Sequence, residues 1–164
     1  MTTCNFCKTI KANSSDSFII PGITKFTFIY DIFPVVPGHT LIIPNRHVSE
    51  YLGLTKPERN ELNDAIIALY KHLAEVNFED LYSTLLRDFN NNKNAEKFLQ
   101  DAKEKAIQYN RSPDGYNHGL NDCLEAGRTV EHLHYHIMPR WAGDSDDPRG
   151  GVRHMFLGKG NYHK

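Results

Sequence analysis

The amino-acid sequence predicts an α+β domain with a mainly antiparallel sheet. Two observations lead to this fold class. Strand-like segments lie both before and after a central helical block, and one later segment alternates strictly between histidine and apolar residues. The chain has 164 residues, of which 40% are hydrophobic, so it can bury one sizeable core. We therefore expect a single domain over residues 1–164.

Short strands are predicted for the first part of the chain. Residues 17–20 and 23–30 are rich in β-branched and aromatic side chains, and a proline–glycine pair between them marks a turn. A loop rich in proline and glycine follows. Residues 40–43 form the next predicted strand, which is closed by a proline.

The central block is predicted to hold one long amphipathic helix and two further helices. Residues 55–58 have the pattern of a capping box with an early proline. The apolar residues that follow recur at spacings of three and four: Leu62, Ile66, Leu69, Leu73 and Val76. We assign this helix to core packing. Between about residues 77 and 110, two more apolar stripes at helical spacing flank a run of asparagines.

Three more strands are predicted after the helical block. The first covers residues 115–121 and is followed by a turn at 122–127. The second is the alternating segment, and the third covers residues 152–157 within a C-terminal tail at 140–164.

The alternating segment, residues 132–136, reads His-Leu-His-Tyr-His. Because successive side chains of a strand point to opposite faces, its three imidazoles should share one face while the apolar side chains pack in a core. Three roles remain open at this point: a metal site of three imidazoles, a nucleophilic or acid–base histidine oriented by its neighbours, or a set of structural histidines.

Composition limits the classes of partner. The formal net charge is −1, so no global basic field would attract a nucleic acid polymer. No apolar run approaches the roughly 20 residues of a membrane helix. The first residues lack the basic-then-apolar pattern of a signal peptide, and we expect a cytoplasmic protein.

The three cysteines are Cys4, Cys7 and Cys123. An odd number without a signal peptide argues against a disulfide framework. Cys4 and Cys7 form a Cys-x-x-Cys motif, but no strand precedes it, as a thioredoxin-type redox site would require. Half of a zinc site is the better interpretation.

In three separate segments the chain resembles the histidine triad (HIT) superfamily. Residues 132–138 match its His-φ-His-φ-His-φ-φ motif, where φ is hydrophobic, and residues 125–131 resemble its Ala-Gly-Gln-Thr-Val lead-in. Residues 31–47 resemble its first conserved block, and residues 4–8 its N-terminal block. Outside the resemblance lies the stretch at about 77–110, which is longer than the connection usual in the family and reads as a helical insertion.

The resemblance implies a HIT-like fold and a nucleotide hydrolase or transferase. His134 would be the nucleophile that forms a covalent nucleotidyl-histidine, His136 would contact phosphate or leaving-group oxygens, and Thr129 would hydrogen-bond the leaving group. Dinucleoside polyphosphates such as diadenosine tetraphosphate are the expected substrates, and a homodimer is the expected assembly. The alternatives are a nucleoside phosphoramidate hydrolase, a dinucleotide phosphorylase, a zinc-stabilised nucleotide-binding module and a three-histidine metallohydrolase.

The resemblance also implies a nucleotide site. Asp31 would accept hydrogen bonds from the ribose hydroxyls. The other expected nucleotide-binding residues are Phe6, Ile10 and Ile32 around a purine base, and Asn121, Gly127 and Arg128 near the phosphates. Arg128 replaces the usual glutamine of the lead-in, and we hypothesise that its charge favours longer polyphosphates. Arg149 and Arg153 of the tail would meet phosphates of a distal nucleotide, whereas His39 and His118 are expected to be hydrogen-bonded structural histidines.

His132 has a different expected role. In the zinc-bearing branch of the family the matching positions are ligands, and here they are Cys4, Cys7, His47 and His132. The resemblance therefore implies a closed Cys₂His₂ structural zinc site that fastens the N-terminal segment to the sheet.

Overall fold

The computed structural model describes residues 4–89 and 92–155, and within them a five-stranded antiparallel sheet has the order β1-β2-β3-β5-β4. The strands are β1 (Ser17–Phe18), β2 (Phe26–Tyr30), β3 (Thr40–Pro44), β4 (Gly115–Gly119) and β5 (Tyr135–Arg140). The α-helices are α1 (Asn5–Ala12), α2 (Lys56–Glu75), α3 (Phe78–Asp88) and α4 (Lys93–Tyr109). Two 3-10 helices cover Tyr51–Gly53 and Gly151–Met155. This architecture confirms the predicted α+β class.

The two faces of the sheet have different neighbours. Leu41 of β3 is paired with His136 of β5, and we call the face that carries these two side chains the site face. A small apolar cluster on this face packs against α1; its members are Ile29, Leu41 and Ile43 of the strands and Phe6 and Ile10 of the helix. The opposite face, with Phe28, Ile42 and Ile137, forms the main core with α2.

Helix α2 begins as its sequence predicts. The backbone N–H of Glu58 donates to the Thr55 hydroxyl at 3.3 Å, and the N–H of Thr55 donates to the Glu58 carboxylate at 2.7 Å. This reciprocal pair is a capping box, which satisfies two backbone donors that the helix itself leaves open. Leu62, Leu69 and Leu73 are buried along one stripe, so the assignment of the helix to core packing is confirmed.

Helices α3 and α4 form a hairpin, which we call the α3–α4 hairpin. Asn77 and Asn92 cap the two helices by accepting from backbone N–H groups at 3.2 and 3.1 Å. The buried residues of the hairpin are Phe78, Tyr82, Leu85, Ala95, Leu99, Ala102 and Ala106. The two helices predicted between residues 77 and 110 are therefore confirmed.

The α3–α4 hairpin holds the loop between β2 and β3. The N–H of Gly38 donates to the buried Tyr82 hydroxyl at 2.8 Å. Gly38 has a φ of +75°, and a Cβ added to it would lie 2.5 Å from the ring of Phe78. Only glycine fits both the backbone conformation and the space. At the other end of the hairpin, Tyr109 stacks on Trp141 with ring centroids 4.7 Å apart.

Two strand predictions need correction. The strand with the alternating histidines begins at Tyr135, not at His132, because Leu133 donates its backbone N–H to the Val48 carbonyl of a loop at 2.7 Å. In place of the last predicted strand, residues 151–155 form a 3-10 helix, since positive φ angles at Gly150 and Gly151 interrupt an extended chain. Residues 156 and 157 of that prediction lie outside the described residues. No helix in 4–89 and 92–155 combines the length and hydropathy of a membrane span.

Candidate functional site

Two cysteines and two histidines from distant parts of the chain meet beside α1. The Sγ atom of Cys4 lies 3.5 Å from Nδ1 of His132, and Sγ of Cys7 lies 3.4 Å from Nδ1 of His47 and 3.6 Å from Nδ1 of His132. Donor atoms from all four residues lie within 4.8 Å of one another. The structure thus brings together the four residues expected as metal ligands.

His132 turns its Nδ1 atom towards the two cysteines. Its ring is fully buried, and its Nε2 lies 2.9 Å from the carbonyl oxygen of Pro44. Because a carbonyl oxygen only accepts, Nε2 carries the proton and Nδ1 presents its lone pair to the two thiols.

His134 presents its other nitrogen to the site. Its Nδ1 lies 2.7 Å from the backbone oxygen of His132, which fixes the proton on Nδ1. The lone pair is therefore on Nε2, the form that a nucleophilic imidazole requires. The ring is 6% exposed and is held between Phe6, at a centroid distance of 5.2 Å, and His136, at 5.0 Å.

His136 belongs to a chain of three polar side chains. Its Nδ1 lies 3.0 Å from Nε2 of His39, and Nδ1 of His39 lies 3.5 Å from the Asp31 carboxylate. A proton on Nδ1 of His39 would face the Asp31 carboxylate, and Nε2 of His39 would then accept from Nδ1 of His136. Nδ1 of His39 and Nε2 of His136 are both buried and have no hydrogen-bond partner among the described residues.

Burial keeps both imidazoles of this chain neutral. Desolvation, together with the neighbouring His39 and His134, lowers the pKa of His136 to about 3. Desolvation also lowers the pKa of His39, although the Asp31 carboxylate opposes that effect. Both rings can therefore lie buried near Asp31 without holding a charge in the core.

The sequence predicted His39 as a hydrogen-bonded structural histidine but not its partner. Strand alternation could have found it: His39 precedes Leu41 by two residues, so both side chains lie on the site face, where Leu41 is paired with His136. Ile32, expected beside Phe6 and Ile10, packs partly against the main core.

Residues 125–131, which lead into the triad, mostly contact other parts of the protein or solvent. The N–H of Gly127 donates to the Leu124 carbonyl at 2.9 Å and is used within this turn, and Thr129 is exposed. Arg128 donates to the Ser49 carbonyl at 2.6 Å and so connects the lead-in to the loop after β3. Cys123 has a φ of +83°, a backbone conformation that glycine adopts most readily.

An open cleft of about 670 Å³ lies beside His136. Strands β4 and β5 form its floor, and α4 and residues 144–152 form its walls. Asn121, expected near the phosphates, lines it together with His39 and His136. Arg149, expected on a distal nucleotide, contacts Asp147 at 2.9 Å.

Comparisons with known proteins agree with this geometry. The HIT domain family model matches residues 13–143. Over 119 residues the chain is 30% identical to the AP-4-A phosphorylase of Mycobacterium tuberculosis, covering 72% of this chain and 44% of that protein. Over 111 residues it is 29% identical to the asymmetrical bis(5'-nucleosyl)-tetraphosphatase of Schizosaccharomyces pombe, covering 68% and 42%. The chain thus spans less than half the length of either relative.

Solved structures show the same fold. A Streptococcus mutans protein superimposes with a TM-score of 0.58 and 27% identity, covering 91% of this chain and 73% of the other. A zinc-bound histidine triad family protein from Mycobacterium smegmatis superimposes with a TM-score of 0.53 and 24% identity, covering 87% and 78%.

Proposed function

The chain belongs to the HIT domain family, and on that premise we propose that it cleaves dinucleoside polyphosphates through a nucleotidyl-His134 intermediate. One observation carries the proposal: the hydrogen bond from Nδ1 of His134 to the His132 carbonyl leaves Nε2 with its lone pair, beside His136 and the open cleft. Two relatives named for reactions of such dinucleotides support this substrate class.

The proposed reaction has two displacements at the α-phosphorus. In the first, Nε2 of His134 attacks phosphorus, the N–P bond forms, and the bond to the bridging oxygen breaks, so that a nucleoside polyphosphate leaves with the electron pair. In the second, a water oxygen attacks, the N–P bond breaks, the pair returns to Nε2 and the proton of water passes to solvent. Diadenosine tetraphosphate and water thus give AMP and ATP.

His136 is proposed to stabilise the phosphate through Nε2. This nitrogen is buried without a partner among the described residues, and burial lowers the pKa of the ring. A phosphate oxygen at this position would favour proton uptake on Nε2. The resulting positive charge would be stabilised through His39 to Asp31, so we assign His39 as a positioning residue.

The remaining site residues are proposed to bind the nucleoside. Phe6 and Ile10 supply the apolar surface for a purine, Asp31 accepts from the ribose, and Asn121 donates to a phosphate oxygen. Thr129 is proposed to reach the leaving group. The contacts of α1 with the site face support the base position, since Phe6 already touches the ring of His134.

We propose zinc as the ion of the Cys₂His₂ cluster. Tetrahedral zinc bonds thiolate sulfur at about 2.3 Å and imidazole nitrogen at about 2.0 Å, which places neighbouring S and N ligands about 3.5 Å apart. The observed S···N separations of 3.4, 3.5 and 3.6 Å fit this geometry. When bound, the ion would supply cross-linking rather than chemistry, because four protein ligands leave no open position.

Product analysis tests the proposal. The wild-type protein is incubated with diadenosine tetraphosphate with and without inorganic phosphate; AMP with ATP indicates hydrolysis, and ADP with ATP indicates phosphorolysis. His134→Ala should lower kcat by about 10³-fold or more while keeping the circular dichroism spectrum. The control is Ile67→Ala, which truncates an exposed side chain of α2 that does not line the cleft. Turnover retained in His134→Ala, or no cleavage by the wild type, contradicts the proposal.

A further inference from the structure

We infer that the cleft beside His136 is a leaving-group pocket that accepts a nucleoside phosphate, and that Lys105 of α4 selects for this anionic leaving group. The inference rests on the proposed function and goes beyond it, because the reactive histidine does not itself determine which group departs.

The cleft adjoins the nucleoside site at His39, Asn121 and His136 and extends away from it. On the site face, α1 covers the half built by β2 and β3, where Phe6 and Ile10 pack. The cleft covers the other half, built by β5 and β4, where Met138 and Asn117 form the floor. With the transferred nucleotide on the α1 side, the group that leaves past His136 enters this cleft.

The walls of the cleft are held in place. The Tyr109 ring is stacked on Trp141 at an interplanar angle of 15°. Arg140 donates to both oxygens of Asp144 at 2.6 and 2.7 Å and also contacts the Asn117 amide oxygen, which fastens the tail to β4 and β5. The volume of about 670 Å³ falls within the roughly 300–1,000 Å³ of ordinary small-molecule sites.

The charges that line the cleft indicate the chemistry of its occupant. Arg140 and Asp144 neutralise each other, and Asp147 contacts Arg149. Lys105 forms no salt bridge with any residue in 4–89 and 92–155, but it is near enough to act on Asp144: hydrogen bonding from Arg140 lowers the pKa of that carboxyl, and the charge of Lys105 adds to the effect. Three cations, Lys105, Arg140 and Arg149, therefore stand against two carboxylates, Asp144 and Asp147, and the balance of charge is positive. The remaining lining is largely apolar and includes Leu120 and Val152. An apolar planar group with an attached anion fits these walls, as a nucleoside phosphate does.

An amine leaving group fits the walls of the cleft poorly. The amine released from a nucleoside phosphoramidate becomes a cation on protonation, and a second cation near Lys105 would be repelled. The smallest such leaving group, ammonia, would also leave the apolar part of the cleft empty. The two candidate substrate classes should therefore respond differently to changes in the cleft.

Two substrates that transfer the same adenylyl group test the inference. Diadenosine tetraphosphate and adenosine 5′-phosphoramidate form the same adenylyl-His134 and differ only in what departs. Lys105→Gln should lower kcat/KM for the tetraphosphate about fivefold and leave the phosphoramidate within twofold. The loss should shrink in high salt, because ions screen an exposed charge. Lys97→Gln, the same change elsewhere on α4, should alter neither rate.

A second variant changes space rather than charge. Val152 lines the cleft and is 59% exposed, so Val152→Trp adds bulk there without removing a core side chain. It should raise KM for the tetraphosphate and spare the phosphoramidate.

Equal losses for both substrates, or no loss for the tetraphosphate, would overturn the inference. If the wild type transfers adenylyl from the phosphoramidate but not from the tetraphosphate, the leaving-group assignment is wrong and the nucleophile assignment stands. Failure to cleave either substrate would remove the proposed function, and this inference with it.

Discussion

Helix α1 and the α3–α4 hairpin support the same site by different physical means. No residue of α1 is fully buried, and the helix is eight residues long. The hairpin buries seven residues, among them Tyr82 and Leu99. An isolated helix as short as α1 is unstable in water, whereas apolar burial stabilises the hairpin directly. The proposed zinc therefore does for α1 what side-chain packing does for the hairpin.

This difference implies that the two supports should fail under different conditions. Chelation should release α1, with Phe6 and Ile10, and leave the hairpin folded. A cavity in the hairpin should loosen the loop that carries Asp31 and His39 and leave the Cys₂His₂ cluster assembled. Chelation should thus impair base binding, whereas a cavity in the hairpin should impair the chemistry at the phosphate.

The largest effect is expected from a cavity in the hairpin. Leu99→Ala empties a fully buried position of α4 and should lower the free energy of unfolding by about 2–5 kcal/mol. Urea denaturation measures it, with and without a chelator, and the loss should be the same in both. Ile107→Ala, on the same helix at a half-exposed position, is the control. Similar losses for the two variants would show that the hairpin is not held by packing.

Removing the metal should have the next largest effect. At a free zinc concentration a hundredfold above Kd, the ion should stabilise the protein by about 2.7 kcal/mol, and Cys7→Ser should remove this term. Metal analysis should find one zinc per chain in the wild type and in Cys123→Ser, but none in Cys7→Ser. Trypsin should then cleave after Lys8 and Lys11, and KM should rise about tenfold as the purine surface is lost. A chelator that abolishes kcat while α1 stays resistant to trypsin would indicate a catalytic metal instead.

The hydrogen bond from Gly38 to Tyr82 links the α3–α4 hairpin to the loop that carries His39, and removing it tests that link. Tyr82→Phe leaves the N–H of Gly38 buried without its acceptor and should cost about 1–3 kcal/mol. Because Gly38 adjoins His39, kcat should also fall, whereas zinc content should not change. Tyr70→Phe, which keeps the ring that stacks on Tyr116, is the control. An unchanged kcat in a Tyr82→Phe protein of lowered stability would show that the loop is held independently of the hairpin.

The smallest effect depends on pH and concerns the start of α2. Hydrogen bonding from Arg46, opposed by burial and helped by Thr55, lowers the pKa of Glu58 to about 2. A depressed carboxyl pKa stabilises the fold above the unfolded value of about 4.3, and this stability is lost as the pH falls towards 2. Glu58→Gln should therefore cost about 1–2 kcal/mol at pH 7, and the difference from the wild type should disappear between about pH 4.5 and 2.

Unfolding with a chelator present isolates this effect from acid release of the metal. Glu75→Gln, at an exposed position of α2, is the matched variant and should show no such dependence. A difference that stays constant down to pH 2 would assign the loss to helix propensity or packing rather than to ionisation.

The elements that local pattern determines were predictable. The capping box at Thr55 and the apolar stripe from Leu62 to Val76 are contained within one helix, so sequence spacing defines them. The two hairpin helices were predictable for the same reason, because each apolar stripe lies within a single helix. The resemblance, not the spacing, brought Cys4 and His132 into one site, because 128 residues separate them.

The errors arose where distant segments compete for the same backbone groups. The backbone N–H of Leu133 donates to the Val48 carbonyl of a loop, so the observed strand is shorter than the predicted one. The spacing of apolar residues gives no indication of such a bond. Ile32, expected beside the purine, packs partly against the main core just after β2 ends, and its place at the base stays a prediction. The partnership of His39 with His136 required the strand order, which single-strand patterns do not contain.

The hairpin leaves and rejoins the domain at nearly one point. The Ser112 hydroxyl, just after α4, donates to the Ala74 carbonyl at the end of α2 at 2.7 Å, so the two stems are tied together. A segment with joined ends can be shortened, lengthened or exchanged between related chains without moving the strands that it interrupts. Because α4 also carries Lys105, such an exchange would bring a new cleft wall with it. Recombination of the α3–α4 hairpin alone would then change the range of substrates without altering the histidines.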